Sequence, residues 1–195
     1  MGTGPEKKDR AMTLALWQKI TLVLGSAALM EGFAWWAHRY IMHGWGWAWH
    51  RDHHEPHDKV FEKNDLFAVV FGSFAFGLFI VGYLYWPPVW YVAAGITLYG
   101  LLYAFVHDGL VHQRWPWHFM PKRGYLRRLV QAHKLHHAVT TQGGNVSFGF
   151  VLAPDPRHLR EKLRQFRAER HRALAAEGAS SSDPRVPPFR KVQDV

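Results

Sequence analysis

Ten histidines stand in four short runs whose spacings could gather metal ions: His38-x4-His43, His50-x2-His53-His54, His107-x4-His112 and His133-x2-His136-His137. The same two spacings occur twice, once on each side of an uncharged stretch, residues 66–106. On an α-helix, residues at i, i+3 and i+4 fall within an arc of about 100°. His50, His53 and His54 therefore project together, as do His133, His136 and His137. Residues five apart lie about 140° from each other. His38 and His43 thus reach one ion only by rotation, by unwinding, or by serving different ions, which favours a site assembled from several elements.

Imidazole suits zinc, iron, copper and nickel alike, so the rings do not name the metal. The chain has no cysteine, which removes Fe–S clusters, thiolate zinc sites and disulfides together. Ten imidazoles are too many for one ion. Five on each of two six-coordinate ions would leave one open position per ion, where O2 can bind, whereas a closed structural zinc needs four ligands. Asp52, Glu55 and Asp108 are expected to accept hydrogen bonds from ligand N–H groups. His57, His118, His158 and His171 stand apart from the runs and are expected at the surface.

The elements that must position these runs are membrane helices. Residues 13–36 are apolar except for Gln18, Lys19 and Glu31, enough to cross about 30 Å of hydrocarbon if Glu31 is paired or faces protein. Residues 66–86 form a second span without charge. Pro87-Pro88 forces a turn, and residues 89–106 form a third span, so 66–106 reads as a helical hairpin. A hairpin returns the chain to the side it left, which puts the loop at 37–65 and everything after 106 on one membrane face. That face carries Arg39, Arg51, Lys59, Lys63, Arg114, Lys122, Arg123, Arg127, Arg128 and Lys134, and the positive-inside rule makes it cytoplasmic.

The segment 146–153 is too short to span and is expected to dip into the interface or pack on the site. A charged helix from Asp155 to about Glu177, with a thin apolar stripe of Leu159, Leu163, Phe166 and Leu174, suits an interfacial or folded-back helix. Residues 1–12 and the Ser- and Pro-containing C-terminus are expected to be poorly ordered. The tryptophans of Gly44-Trp45-Gly46-Trp47-Ala48-Trp49 read as an interfacial belt, with lining of a substrate path as the alternative. Phe67, Phe71, Phe74 and Phe79 read as lipid or helix contacts, and Gly72, Ser73, Gly77 and Gly82 as points of close packing. The fold class is an all-α polytopic membrane bundle with a dinuclear histidine site on its cytoplasmic face. It divides into 1–154, the membrane part, and 155–195, a basic helical and disordered tail.

The net charge of +9 raises nucleic acid as a partner. Its cationic residues flank long apolar stretches and no nucleic-acid motif occurs, so no nucleic acid is expected.

The runs HRYIMHGWGWAWHRDHHEPH at 38–57, HDGLVHQRWP at 107–116 and HKLHHA at 133–138 closely resemble the bacterial β-carotene 3-hydroxylases, of the fatty-acid hydroxylase/sterol desaturase superfamily of membrane non-haem di-iron enzymes. The resemblance covers roughly residues 25–155. It implies O2-dependent hydroxylation at C3 and C3′ of β-ionone rings, giving β-cryptoxanthin and then zeaxanthin, with 4-keto rings leading toward astaxanthin. It further implies that His38, His43, His50, His53, His54, His107, His112, His133, His136 and His137 bind two iron ions, which zinc can replace in a purified sample. It leaves open which ion each one binds. The implied partners are a carotenoid drawn from the lipid bilayer and an external electron donor of the ferredoxin type, in a bacterial inner membrane. Rival readings are a related hydroxylase or desaturase of fatty acids or sterols, a carotenoid 4-ketolase, a membrane metal carrier or sensor, and a bis-histidine haem protein.

Overall fold

The structure, a computed structural model, describes residues 14–55 and 61–176. His57, Lys59 and both chain ends expected to be poorly ordered lie outside the described residues. Every regular element among the described residues is helical, as the hydropathy pattern predicts. Helix α1 (Leu16–Trp36) runs directly into a π-helical segment, Ala37–Trp45, and α2 (Trp47–His54) follows. Helix α3 covers Asp65–Leu84. Helix α4 (Pro87–Tyr103) again runs into a π-helical segment, Ala104–Val111. Helices α5 (Gly124–His136) and α6 (Pro156–Ala176) complete the set.

Among the described residues three stretches are long and apolar enough to cross a membrane: Leu16–Trp45 of 30 residues, Asp65–Leu84 of 20 and Pro87–Val111 of 25. Three boundaries differ from expectation. Pro87 and Pro88 open α4 rather than lie in the turn, because a helix's first residues need no N–H donor and proline's fixed φ suits them. The first and third spans also continue past Trp36 and Val106, so His38, His43 and His107 ride on helical extensions and not in loops.

The described residues form two compact units, one of residues 14–30 with Phe67–Leu102, the other of residues 31–55, 61–66 and 103–176. In the first unit Leu24, Val69, Phe74, Phe76 and Ile80 are exposed, an arrangement that suits lipid better than water. Phe67 is buried instead. Close helix approach falls at Gly82, where an added Cβ would lie 2.3 Å from the Trp90 nitrogen, and at Gly95, where it would lie 1.9 Å from Ser26 Oγ. Gly72 and Gly77, expected as packing points, have open space around them. Lys19 sits over the Tyr91 ring at 5.6 Å.

The second unit holds all ten clustered histidines. Its apolar core joins Val106, Leu129, Ala132, Leu135, Val139 and Val146 to Leu159 and Leu163 of α6, with Phe166 packed against them. The stripe on α6 is therefore a folded-back face, not an interfacial one. Residues 145–153 are non-helical and pack on the histidines, the second of the two expected alternatives.

Gly95→Val places a branched side chain where Ser26 Oγ and the Val23 carbonyl already stand. A cost of about 1–3 kcal/mol or more is expected from such overpacking. A lower melting temperature in detergent, with less protein surviving as a single species on size exclusion, checks this.

Candidate metal centre

The π-helical geometry resolves the five-residue spacing. An i→i+5 hydrogen-bonded turn stacks residues five apart on one side of the helix. The His112 N–H donates to the His107 carbonyl at 2.9 Å, and the Gly46 N–H to the Ile41 carbonyl at 2.8 Å. His38 and His43 fall in one pocket, and His107 and His112 in another. Local unwinding was one of the three routes left open by the sequence.

The ten rings separate into two groups of five, His38, His43, His50, His54 and His136 in one and His53, His107, His112, His133 and His137 in the other. Within each group the ligand-capable nitrogens lie within 4.8 Å of one another. Eight of the ten residues are buried, and His112 and His137 are half-buried. The division follows helical angle: residues four apart share a pocket, while the middle histidine of each HxxHH run turns to the other pocket. Each pocket thus takes four rings from its own half of the chain and one, His136 or His53, from the opposite half.

The outer nitrogen of most rings is held by an oxygen. In the first pocket Nδ1 donates to the carbonyls of Phe148 (His38, 2.9 Å), Gln142 (His43, 2.9 Å), Val139 (His54, 3.0 Å) and Val146 (His136, 3.1 Å). His50 Nδ1 donates to Asn64 Oδ1 at 2.7 Å. In the second pocket His53 Nδ1 meets Glu62 Oε2 at 2.5 Å and His107 Nδ1 meets Asp108 Oδ1 at 2.8 Å. The Nε2 atoms of His133 and His137 stand 3.0 Å apart, and among the rings whose Nδ1 is held by an oxygen four pairs of inner nitrogens face each other: His38–His50 and His43–His136 at 3.1 Å, His50–His54 at 3.2 Å and His53–His107 at 3.0 Å. In each of these four pairs both neutral rings have given their one proton to an outer acceptor, so two lone pairs meet. Alone they repel; a cation between them makes the arrangement favourable. Nitrogens about 2.0–2.1 Å from a common ion stand about 2.8–3.4 Å apart in octahedral or tetrahedral geometry, which brackets the observed contacts.

Burial, with neighbouring rings adding to it, pushes the pKa values of His50, His53, His112, His133, His136 and His137 well below the ordinary imidazole value. Burial pushes His54 down to about 3, against the opposing bond to the Val139 carbonyl. Neutral rings are the form that binds metal.

Of the three carboxylates expected behind the histidines, only Asp108 takes that position. Asp52 accepts the Lys63 N–H at 2.8 Å through Oδ2, while its buried Oδ1 has no hydrogen-bond partner among the described residues. Glu55 is exposed and lies 3.5 Å from Arg51. Glu62, Asn64 and the four carbonyls were not foreseen. His118, His158 and His171 are exposed, as expected. Among the tryptophans, Trp45 and Trp49 are exposed as a belt requires, but the Trp47 ring packs on His43 at 5.2 Å and His54 at 5.5 Å.

Glu31, the charge inside the first span, is buried and accepts the N–H groups of Phe150, Val151 and Leu152 at 2.8–3.1 Å. It anchors the segment whose Phe148 and Val146 carbonyls orient His38 and His136. The Phe150 ring stacks on His38 at 4.9 Å and lies 5.6 and 5.7 Å from His107 and His133, bordering both pockets. Arg114 bonds Asp65 through two hydrogen bonds of 2.8 Å and lies 3.5 Å from Asp108.

Helices of membrane-spanning length and two histidine pockets define the class, a helical membrane protein with a site that fits a metal-dependent oxygenase. The chain belongs to the fatty acid hydroxylase family, whose model matches residues 23–154. A β-carotene hydroxylase of Pseudescherichia vulneris is 57% identical over 145 residues, 74% of this chain and 82% of that protein. A β-carotene hydroxylase of Pantoea ananas is 51% identical over 83% of this chain and 90% of its own length. The chloroplastic β-carotene 3-hydroxylase 2 of Arabidopsis thaliana is 39% identical over 76% of this chain and 50% of its own length. No solved structure matches.

Two outcomes follow from the site. Glu31→Ala leaves buried amides without their acceptor, at about 1–3 kcal/mol for each left unsatisfied. A lower melting temperature and a lower metal-to-protein ratio by elemental analysis are expected. For pH, an unfolded imidazole titrates near 6.5, above the values held by the buried rings. Between those values the unfolded chain binds more protons, so this stability is complete above about 6.5 and lost as pH falls toward the folded values. The melting temperature of metal-free protein should drop steadily from pH 7.5 to pH 5; an unchanged one would contradict burial of neutral rings.

Proposed function

We propose that this chain is a membrane monooxygenase that hydroxylates C3, and then C3′, of the β-ionone rings of β-carotene and related carotenoids. The products are β-cryptoxanthin and zeaxanthin, and 4-keto rings are taken toward astaxanthin. Relatives named β-carotene hydroxylase, 51–57% identical across most of their length, carry the reading. The two five-histidine pockets agree with it. We assign His38, His43, His50, His54 and His136 to one iron ion and His53, His107, His112, His133 and His137 to a second. Two iron ions there would supply the power to use O2 against an unactivated ring C–H bond.

The chain's own residues provide orientation and exclusion of water. The Nδ1 acceptors fix which nitrogen of each ring faces inward. Phe148, Phe150 and Trp47 line the rings with apolar surface, which keeps solvent from the reacting centre. Glu31 holds the segment carrying both phenylalanines. Residues 1–154 carry this function, and the basic segment that follows supports it through Leu159 and Leu163 in the same core. The absence of cysteine and of nucleotide motifs leaves electron supply to an external donor of the ferredoxin type. The Lys and Arg distribution supports a bacterial inner-membrane location with the histidines facing the cytoplasm.

Expression in bacteria that accumulate β-carotene, with pigments identified by chromatography and mass, tests the reading. β-Cryptoxanthin and zeaxanthin should appear. His53→Ala or His136→Ala should lower both at least about 100-fold, beyond the roughly 10–100-fold cost of losing a ligand's hydrogen-bond partner. Unchanged β-carotene despite metal-loaded, membrane-inserted protein would move the substrate to another lipid of the family's range.

A further inference from the structure

The two pockets differ in what stands behind their rings. All five rings of the first are backed by uncharged oxygens: four main-chain carbonyls and the Asn64 amide. In the second, His53 and His107 are backed by the carboxylates of Glu62 and Asp108. Both contacts are sheltered, with side-chain exposures of 1% and 8% for His53 and Glu62, and 2% and 25% for His107 and Asp108. Arg114 offsets this only in part. Its two short bonds go to Asp65, and it stands 3.5 Å from Asp108. Two carboxylates, Asp65 and Asp108, thus share one guanidinium. On the first pocket's side the Arg39 guanidinium lies 5.4 Å from the Phe148 ring, and the buried Glu31 carboxylate is bound by the N–H groups of Phe150, Val151 and Leu152 rather than by a histidine ring.

We propose that the pockets are redox-unequal, and that Glu62 and Asp108 make the ion among His53, His107, His112, His133 and His137 the first of the two to be oxidised. This rests on the two-iron reading above. A carboxylate accepting an imidazole N–H makes that ring a stronger donor and places negative charge one ring away from the metal. In a buried setting that charge is weakly screened, so the ion with the larger positive charge is favoured there. Oxidation of iron(II) to iron(III) in the second pocket, with one electron passing to an added oxidant, therefore comes at lower potential than in the first. Glu62 and Asp108 act through the histidines and are positioning residues. The asymmetry gives the centre a defined order of electron loss and refilling, which two identical pockets would lack.

The experiment uses the full chain loaded with iron(II) in detergent, with the iron-to-protein ratio measured first. A potentiometric titration with mediator dyes is then followed by Mössbauer spectroscopy. The wild type should show two separable couples and a mixed-valence state between them. Glu62→Gln should raise the lower couple and leave the upper one in place. Asn64→Asp, which puts a carboxylate behind His50, should lower the upper couple and narrow the gap. Asp108→Asn repeats the first test should Glu62→Gln lose iron. Coincident couples in the wild type, or both couples moving together in these variants, would overturn the inference while leaving the two-iron reading intact. A wild-type iron ratio of one or below would overturn that reading and the inference with it.

Discussion

Ten imidazoles are largely withdrawn from solvent and aimed at one another, and the rest of the second unit is organised around that requirement. A buried polar ring needs hydrogen-bond partners, because an unsatisfied one costs about 1–3 kcal/mol. Most of the outer nitrogens find oxygens, while the inner nitrogens find only other lone pairs. The π-helical turns, the anchored segment at 145–153 and the buried Glu31 each satisfy part of this demand. The protein completes the outer half of every such ring and leaves the inner half in an arrangement that fits a cation.

The exchange of one histidine between halves gives the site its cohesion. His136 comes to the pocket built from residues 38–54, and His53 to the pocket built from residues 107–137. Neither half holds a full set, so filling either pocket ties helix α2 to α5. The family match at residues 23–154 spans this whole arrangement, but ends before the buried Leu159 and Leu163 of α6, which support the same core.

Much of this was legible in the sequence because metal ligands are side chains and their types are written there. The helical class, the three spans and the ten rings follow from composition and spacing. The five-residue pairs announced that a regular helix would fail, but the choice among rotation, unwinding and separate ions depended on backbone geometry. The separation of His53 from His54 was available in principle, since adjacent helical residues diverge by about 100°. The carbonyl acceptors were not, because every residue has a carbonyl and only the fold selects Val139, Gln142, Val146 and Phe148. Asp52 and Glu55 were expected for their nearness in sequence, whereas Glu62 and Asn64 reach back from the start of α3. Gly95 was passed over for Gly72 and Gly77, since composition does not show which side of a helix meets a neighbour.

The first pocket has a consequence for biosynthesis. His38 and the Phe148 carbonyl that orients it are separated by 110 positions, and His43 and the Gln142 carbonyl by 99. Residues 38–54 leave the ribosome, and the first span can insert, long before those carbonyls exist. Closing such distant pairs is among the slowest steps of folding, because chain entropy must be lost before the contacts form. The early histidines therefore lack these two acceptors until the chain has been made through Phe148. Metal that enters the finished pocket enters late, after translation has passed Phe148, which makes metal supply a maturation step separate from membrane insertion.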